Sequence, residues 1–127
     1  MQQIKEQVQE WTRLLPTGKI VSPSEAEYRA GEFLVALAHV AEWIHSLREN
    51  KIKNSSVATA VFAFEMQRCD SKQVTEKKAY AEASKDYIAA RENVEFGDND
   101  ISYLKAYQEI FTNAHVFYRQ LSKEAQG

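Results

Sequence analysis

Apolar residues in this chain recur at alternating spacings of four and three, and that regularity decides most of what it can fold into. Ala26, Ala30, Phe33, Leu37, Val40, Ile44 and Leu47 form one such series. Phe62, Met66, Cys69, Gln73, Glu76, Tyr80, Ala83, Tyr87, Ala90 and Val94 form a second, in which only the chemistry at Gln73 and Glu76 departs from apolar. Leu104, Tyr107, Phe111, Ala114, Tyr118 and Leu121 form a third. Spacings of four and three return to one face of an α-helix, whereas a strand needs strict alternation. Four glycines and two prolines in 127 residues are also too few for a protein rich in β-turns. The expected fold class is all-α: a helical hairpin or bundle with one overlong central helix, assembled into an oligomer.

Local signals set the expected boundaries. Ile4, Val8, Trp11 and Leu15 mark a short amphipathic helix over 3–15, which the "PTG" at 16–18 ends. Residues 1–21 then read as a short N-terminal helix and linker, and 22–127 as a single helical domain. "SPSE" at 22–25 is a strong helix start: Ser22 caps, Pro23 fits the first turn, and Glu25 stands three after the serine. A helix is expected over about 23–50, with Leu34 and Ala41 widening its seam toward a second partner. The polar run "RENKIKNSS" at 48–56 reads as a turn. The second series predicts a helix over about 56–94, roughly 55–60 Å long. "FGDND" at 96–100 reads as a break, with Gly97 ending one helix and an aspartate or asparagine capping the next over about 100–123.

Composition narrows the function classes. The formal net charge is −2, so no global basic field exists. The single cysteine, Cys69, rules out an internal disulfide and fits a reducing compartment. The first residues, "MQQIKEQVQEW", lack the apolar core of a secretory signal, and no apolar run reaches membrane-spanning length. The expectation is a cytoplasmic protein with no membrane contact, in the host cytoplasm if the chain is phage-encoded.

No catalytic or cofactor signature emerges, and the expectation is a protein that is not an enzyme. Glu42 and His45 supply half of a Glu-x-x-His pattern, but a di-iron bundle needs two copies, and His115 has Thr112 three before it. His39 and His45 read as surface or interface groups. Cys69 falls on a helix seam, where a small apolar residue is ordinary. "GDND" lacks the repeating ligands and closing glutamate of a calcium loop, and the glycines at 18, 31, 97 and 127 form no phosphate cradle.

Charge is uneven along the chain. Residues 48–91 hold nine Lys or Arg against six Asp or Glu, and the remainder holds seven against twelve. Arg48, Lys51, Lys53, Arg68, Lys72, Lys77 and Lys78 are the candidate nucleic-acid contacts. Tyr80, Tyr87, Tyr107, Phe111 and Tyr118 are the candidate oligomer or partner interface, since one small bundle would struggle to cover so many aromatics.

The order of segments resembles a known family. A helix beginning "EAEYRAGEFLVALAHVAEWI" is followed by a basic turn and a long, partly polar helix. Then come "KKAYAEASKDYIAARENVEF", a break, and an aromatic helix ending "AHVFYRQL". Over about residues 22–122 this resembles small phage recombination mediators of the UvsY type. The resemblance implies a non-enzymatic helical oligomer that binds single-stranded DNA, contacts a RecA-like recombinase and a single-strand-binding protein, and helps one replace the other. The nearest match to that family's lysine-x-arginine element is "KIK" at 51–53, and no site residue is taken from the family. The alternative is a phage-type protein–protein adaptor or inhibitor that binds no nucleic acid.

Overall fold

The computed structural model describes residues 1–126. The chain is 85% helical, and the described residues contain no strand. Four helices follow in order: α1 (Gln2–Thr12), α2 (Pro23–Arg68), α3 (Val74–Glu82) and α4 (Lys85–Gln126). The all-α class with one overlong helix holds, but the overlong helix is α2, with α4 nearly its equal, rather than a segment over 56–94. No described helix is long and apolar enough to cross a membrane.

The start of α2 follows its sequence signal. The Glu25 amide donates to the Ser22 hydroxyl oxygen at 3.1 Å, which supplies a partner for one of the free amides of the first turn. The Glu25 carboxylate does not close the box. It accepts instead from Arg29 one turn on, at 2.8 Å. Before it, Gly18 takes a φ of +83°, the left-handed conformation that glycine alone adopts freely, and turns the chain out of α1 toward α2.

Three expected boundaries are overturned. The turn at 48–56 is helix: α2 runs through it without interruption. That run contains no proline or glycine, and a helix exposed to water carries lysine and asparagine readily. The Ser56 hydroxyl donates to the Ile52 carbonyl at 3.1 Å and Thr59 to Ser55 at 3.0 Å, so these polar groups bond within the helix instead of diverting it. The break at 96–100 is also helix. Gly97 keeps ordinary helical backbone, and Asp98 is engaged by Lys51 of α2 at 2.6 Å rather than by a helix start.

The continuous helix over 56–94 is the third. It stops at Arg68, resumes as α3 at Val74, and kinks at 83–84 before α4. Local hydroxyls make both interruptions. Ser71 accepts from the Gln73 amide at 3.1 Å, a turn that competes with helix, and donates to the Glu76 carboxylate. Ser84 accepts from the Tyr87 amide at 3.2 Å and caps α4.

The chain forms two compact units. The first joins Met1–Ile44 to the chain from Ser102 onward. Its core draws Val8 and Trp11 from α1, then Ala26, Ala30, Phe33, Ala36, Val40 and Ile44 from α2, and Leu104, Phe111, Ala114 and Tyr118 from α4. Phe33 lies 5.4 Å from Phe111 and 6.1 Å from Tyr118 between ring centres, and Trp11 meets Phe111 edge-on at 6.1 Å. Each of these large side chains contributes roughly 1.5–3 kcal/mol by leaving water. Leu34, expected to widen the seam, is exposed. The α1 contact is made by the other flank of α2, where Trp11 packs against His39 and Trp43.

The second unit is His45–Ile101. Its buried apolar residues are Ala81, Ala90 and Ile101, and the carboxylate Glu65 is buried with them. Phe62 of α2 packs on Tyr87 of α4 at 5.1 Å. Lys51–Asp98 and Phe62–Tyr87 fix the two helices antiparallel here, with residue numbers of facing pairs rising on one helix as they fall on the other.

Candidate functional site

All seven candidate nucleic-acid contacts lie in the second unit, but in two groups. Arg48, Lys51 and Lys53 sit on α2 itself, not on a turn. Lys51 is partly buried and tied to Asp98, whereas Arg48 and Lys53 are exposed and have no ion pair among the described residues. The other group lies at the far end of this stretch of α2, seventeen residues on from Lys51, or about 25 Å along the helix. It comprises Arg68, Lys72, Lys77 and Lys78.

In that far group Arg68 is the last residue of α2. Its guanidinium lies 5.8 Å from the Phe64 ring centre and 3.4 Å from Glu65. Glu65 is only 4% exposed, so Arg68 is committed to compensating a buried carboxylate. Lys72 is exposed on the loop over 69–73. Lys77 and Lys78 follow on α3. None of these three lysines has an ion pair among the described residues. Val74 and Tyr80, on the same short helix, are 60% and 43% exposed. Cations beside exposed apolar and aromatic groups are the elements of a single-strand surface, in which amines meet phosphates and rings meet bases.

Folding removes the charge surplus seen along the chain. Glu92, Glu95, Asp98 and Asp100 join the same unit, so His45–Ile101 as a whole holds nine basic and ten acidic residues. Any anion-binding surface here is local rather than a field over the unit.

The five candidate interface residues divide between the units, and two are corrected. Phe111 and Tyr118 are buried at 0% and 1% exposure in the chain's own core and present no surface to a partner. The expectation failed because α1 and the first half of α2 cover that aromatic stripe. Tyr107 is half-buried beside Tyr103 and Phe111, and its hydroxyl accepts from Gln9 of α1 at 3.3 Å. Tyr87 is half-buried on Phe62, and Tyr80 alone of the five is exposed.

His115 is held within the fold, whereas His39 and His45 lie at the surface. His115 Nδ1 lies 2.8 Å from the Ala30 carbonyl and carries the proton it donates there. His39 stacks on both Trp11 and Trp43, which also meet each other at 5.9 Å, and His45 faces Glu49 at 3.2 Å rather than Glu42. Among the described residues no three His, Cys, Asp or Glu side chains gather closely enough to hold a metal ion.

One group escaped sequence reasoning. Arg29 donates to Glu25, to the Tyr118 hydroxyl at 3.1 Å and to the Leu14 carbonyl at 3.4 Å, while Tyr118 donates to the same carbonyl at 2.9 Å. The Glu25 bond first, and the Tyr118 bond second, raise the guanidinium above its ordinary pKa. A raised base stabilises the fold at every pH below its unfolded value, so this cluster adds no pH dependence near neutrality. The four-residue spacing of Glu25 and Arg29 was the only signal for it in the sequence.

Compared with known proteins, the chain matches no protein-family model, no curated protein and no solved structure.

Proposed function

We propose that this chain is a non-enzymatic, self-associating helical protein of the recombination-mediator kind. It holds single-stranded DNA at the loop and α3 of the second unit and assists a RecA-like recombinase in the cytoplasm, that of the host if phage-encoded. The observation that carries this reading is the trio Lys72, Lys77 and Lys78, without ion pairs among the described residues, beside exposed Val74 and Tyr80. Three cations per chain bind weakly, and several copies on one strand multiply the effect through avidity. Arg68 is held by Glu65 and plays a smaller part.

The test is fluorescence anisotropy of a labelled single-stranded oligonucleotide at low and physiological salt. Saturable, salt-sensitive binding is expected. Replacing Lys72, Lys77 and Lys78 with glutamine should flatten the salt dependence by about 2 in log–log slope per chain, since each single-strand phosphate contact contributes about 0.7. Unchanged binding would remove the trio from the interface. A second reading, a protein–protein adaptor without nucleic-acid binding, is favoured by the nine-to-ten charge balance of the unit. Absence of binding at low salt would put it first.

A further inference from the structure

Where α2 ends and α3 turns into α4, the second unit leaves an open cleft of about 440 Å³, within the size range of small-ligand pockets. Glu65 and Arg68 of α2, Tyr80 of α3, and Ser84, Lys85 and Asp86 at the joint with α4 line it. Glu65 is the unusual member, a carboxylate only 4% exposed. Its one hydrogen bond among the described residues comes from Arg68, which donates to Oε1 at 3.4 Å. Charge-assisted bonds to carboxylates ordinarily run about 2.7–2.9 Å, so this one compensates the buried charge weakly. Oε2 accepts from no described residue, yet no fully buried side-chain oxygen among them lacks a partner. Oε2 therefore still meets water, and the cleft that Glu65 lines is its opening.

The cleft's chemistry selects its guest. Arg68 and Lys85 balance Glu65 and Asp86 in number, so a neutral group suits it better than a phosphate. The guest must bring N–H donors for Glu65 and a flat face for the Tyr80 ring, which is 43% exposed. An unpaired nucleobase has both. We infer that this cleft holds one guanine of a bound single strand, with Glu65 accepting from its N1–H and N2–H and Tyr80 stacking on its face. Those two donors stand side by side on the pairing edge of guanine and match the two oxygens of one carboxylate. Thymine offers a single N–H between two carbonyls, and adenine and cytosine set their amino group beside an unprotonated ring nitrogen, which repels a carboxylate. The Ser84 hydroxyl accepts from the Tyr87 amide at 3.2 Å and keeps its own proton for the O6 of guanine. Tyr80 stands three residues after Lys77 on α3, so ring and amine share a face, and the cleft continues the surface of the lysine trio. This inference rests on the single-strand binding of the proposed function and adds a base preference to it.

Fluorescence anisotropy with three labelled strands tests it: oligothymidine, the same strand with one central guanine, and the same strand with inosine at that position. The wild-type chain should bind the guanine strand about tenfold more tightly than oligothymidine, the scale of one bidentate base contact. Inosine lacks the N2 amino group, so its strand should fall between the two. Glu65→Gln replaces one acceptor oxygen with an amide that faces the guanine donors with its own hydrogens. It should erase the guanine preference and leave oligothymidine binding unchanged, with circular dichroism confirming its helicity. The inosine strand needs no variant, so the test holds even where Glu65→Gln disturbs the fold. If oligothymidine binds with salt sensitivity but guanine adds nothing, or inosine equals guanine, the cleft assignment is wrong while single-strand binding stands. A preference that survives in a folded Glu65→Gln chain also overturns it. Binding of none of the three strands at low salt overturns both readings.

Discussion

The two units are built from the same two long helices, yet one fills a core and the other does not. Where α1 joins α2 and α4, twelve apolar residues are buried, among them Phe33, Phe111, Tyr118 and Trp11. In His45–Ile101 the only buried apolar residues are Ala81, Ala90 and Ile101, while Ile52, Val57, Phe64, Val74, Tyr80, Ile88 and Phe96 are exposed. Helical spacing alone therefore does not produce a core. A two-helix contact leaves most of each apolar face wet unless a third element covers it. In the first unit α1 is that element, whereas α3 is nine residues long and contributes only Ala81 to the interior. The second unit accordingly leaves more apolar surface in water and should be the less stable of the two.

Truncating one aromatic in each unit should expose the difference most strongly. Phe111→Ala opens a cavity in a filled core and should cost about 3–5 kcal/mol in urea unfolding. Phe62→Ala removes a ring that is only partly buried and should cost less. Equal losses would show that the second unit is as tightly packed as the first. Amide hydrogen exchange gives an independent reading: protection over 102–122 should exceed that over 45–101.

The sequence disclosed this contrast only in part. The helical class, the Ser22 start and the apolar seam of 26–44 were legible because each is set by residues close in the chain. The interruptions at 69–73 and 83–84 were hidden because the four-three series runs through them by coincidence, and only the hydroxyls of Ser71 and Ser84 distinguish turn from helix there. The helix through 48–56 was misread as a turn because a solvated helix face and a loop share a polar composition. For the candidate site, the lysines were visible but the neutralisation of Lys51 was not. Asp98 lies forty-seven residues beyond Lys51, and only the antiparallel packing of α4 brings them together. Phe111 and Tyr118 were assigned to an interface because nothing local shows that α1 folds over them.

A smaller effect probes the quality of the first core's edge. Tyr118 is buried as a ring, and its hydroxyl links the Leu14 carbonyl to Arg29. Tyr118→Phe keeps the packing and removes that link. The carbonyl retains only the 3.4 Å Arg29 contact, so the expected loss is about 1–2 kcal/mol. The loss should vary little between pH 5 and pH 9, because the protonated guanidinium persists throughout. A negligible loss would mean that the segment after α1 is held by apolar contacts alone.

The smallest expected change is a gain, and it falls in the weaker unit. Gly97 lies inside α4, where its unrestricted unfolded backbone makes folding costlier than an alanine would. Its φ is not positive, and a Cβ built there meets nothing within 4 Å. Gly97→Ala should therefore stabilise the chain by about 0.5–1 kcal/mol, with added amide protection concentrated around 85–101. A helix that broke at 96–100 with Gly97 in a left-handed turn would respond in the opposite direction, because alanine is strained there. The sign of the change thus separates one continuous α4 from two helices. A gain confined to 85–101 would further show that the second unit is limited by its own local helix stability.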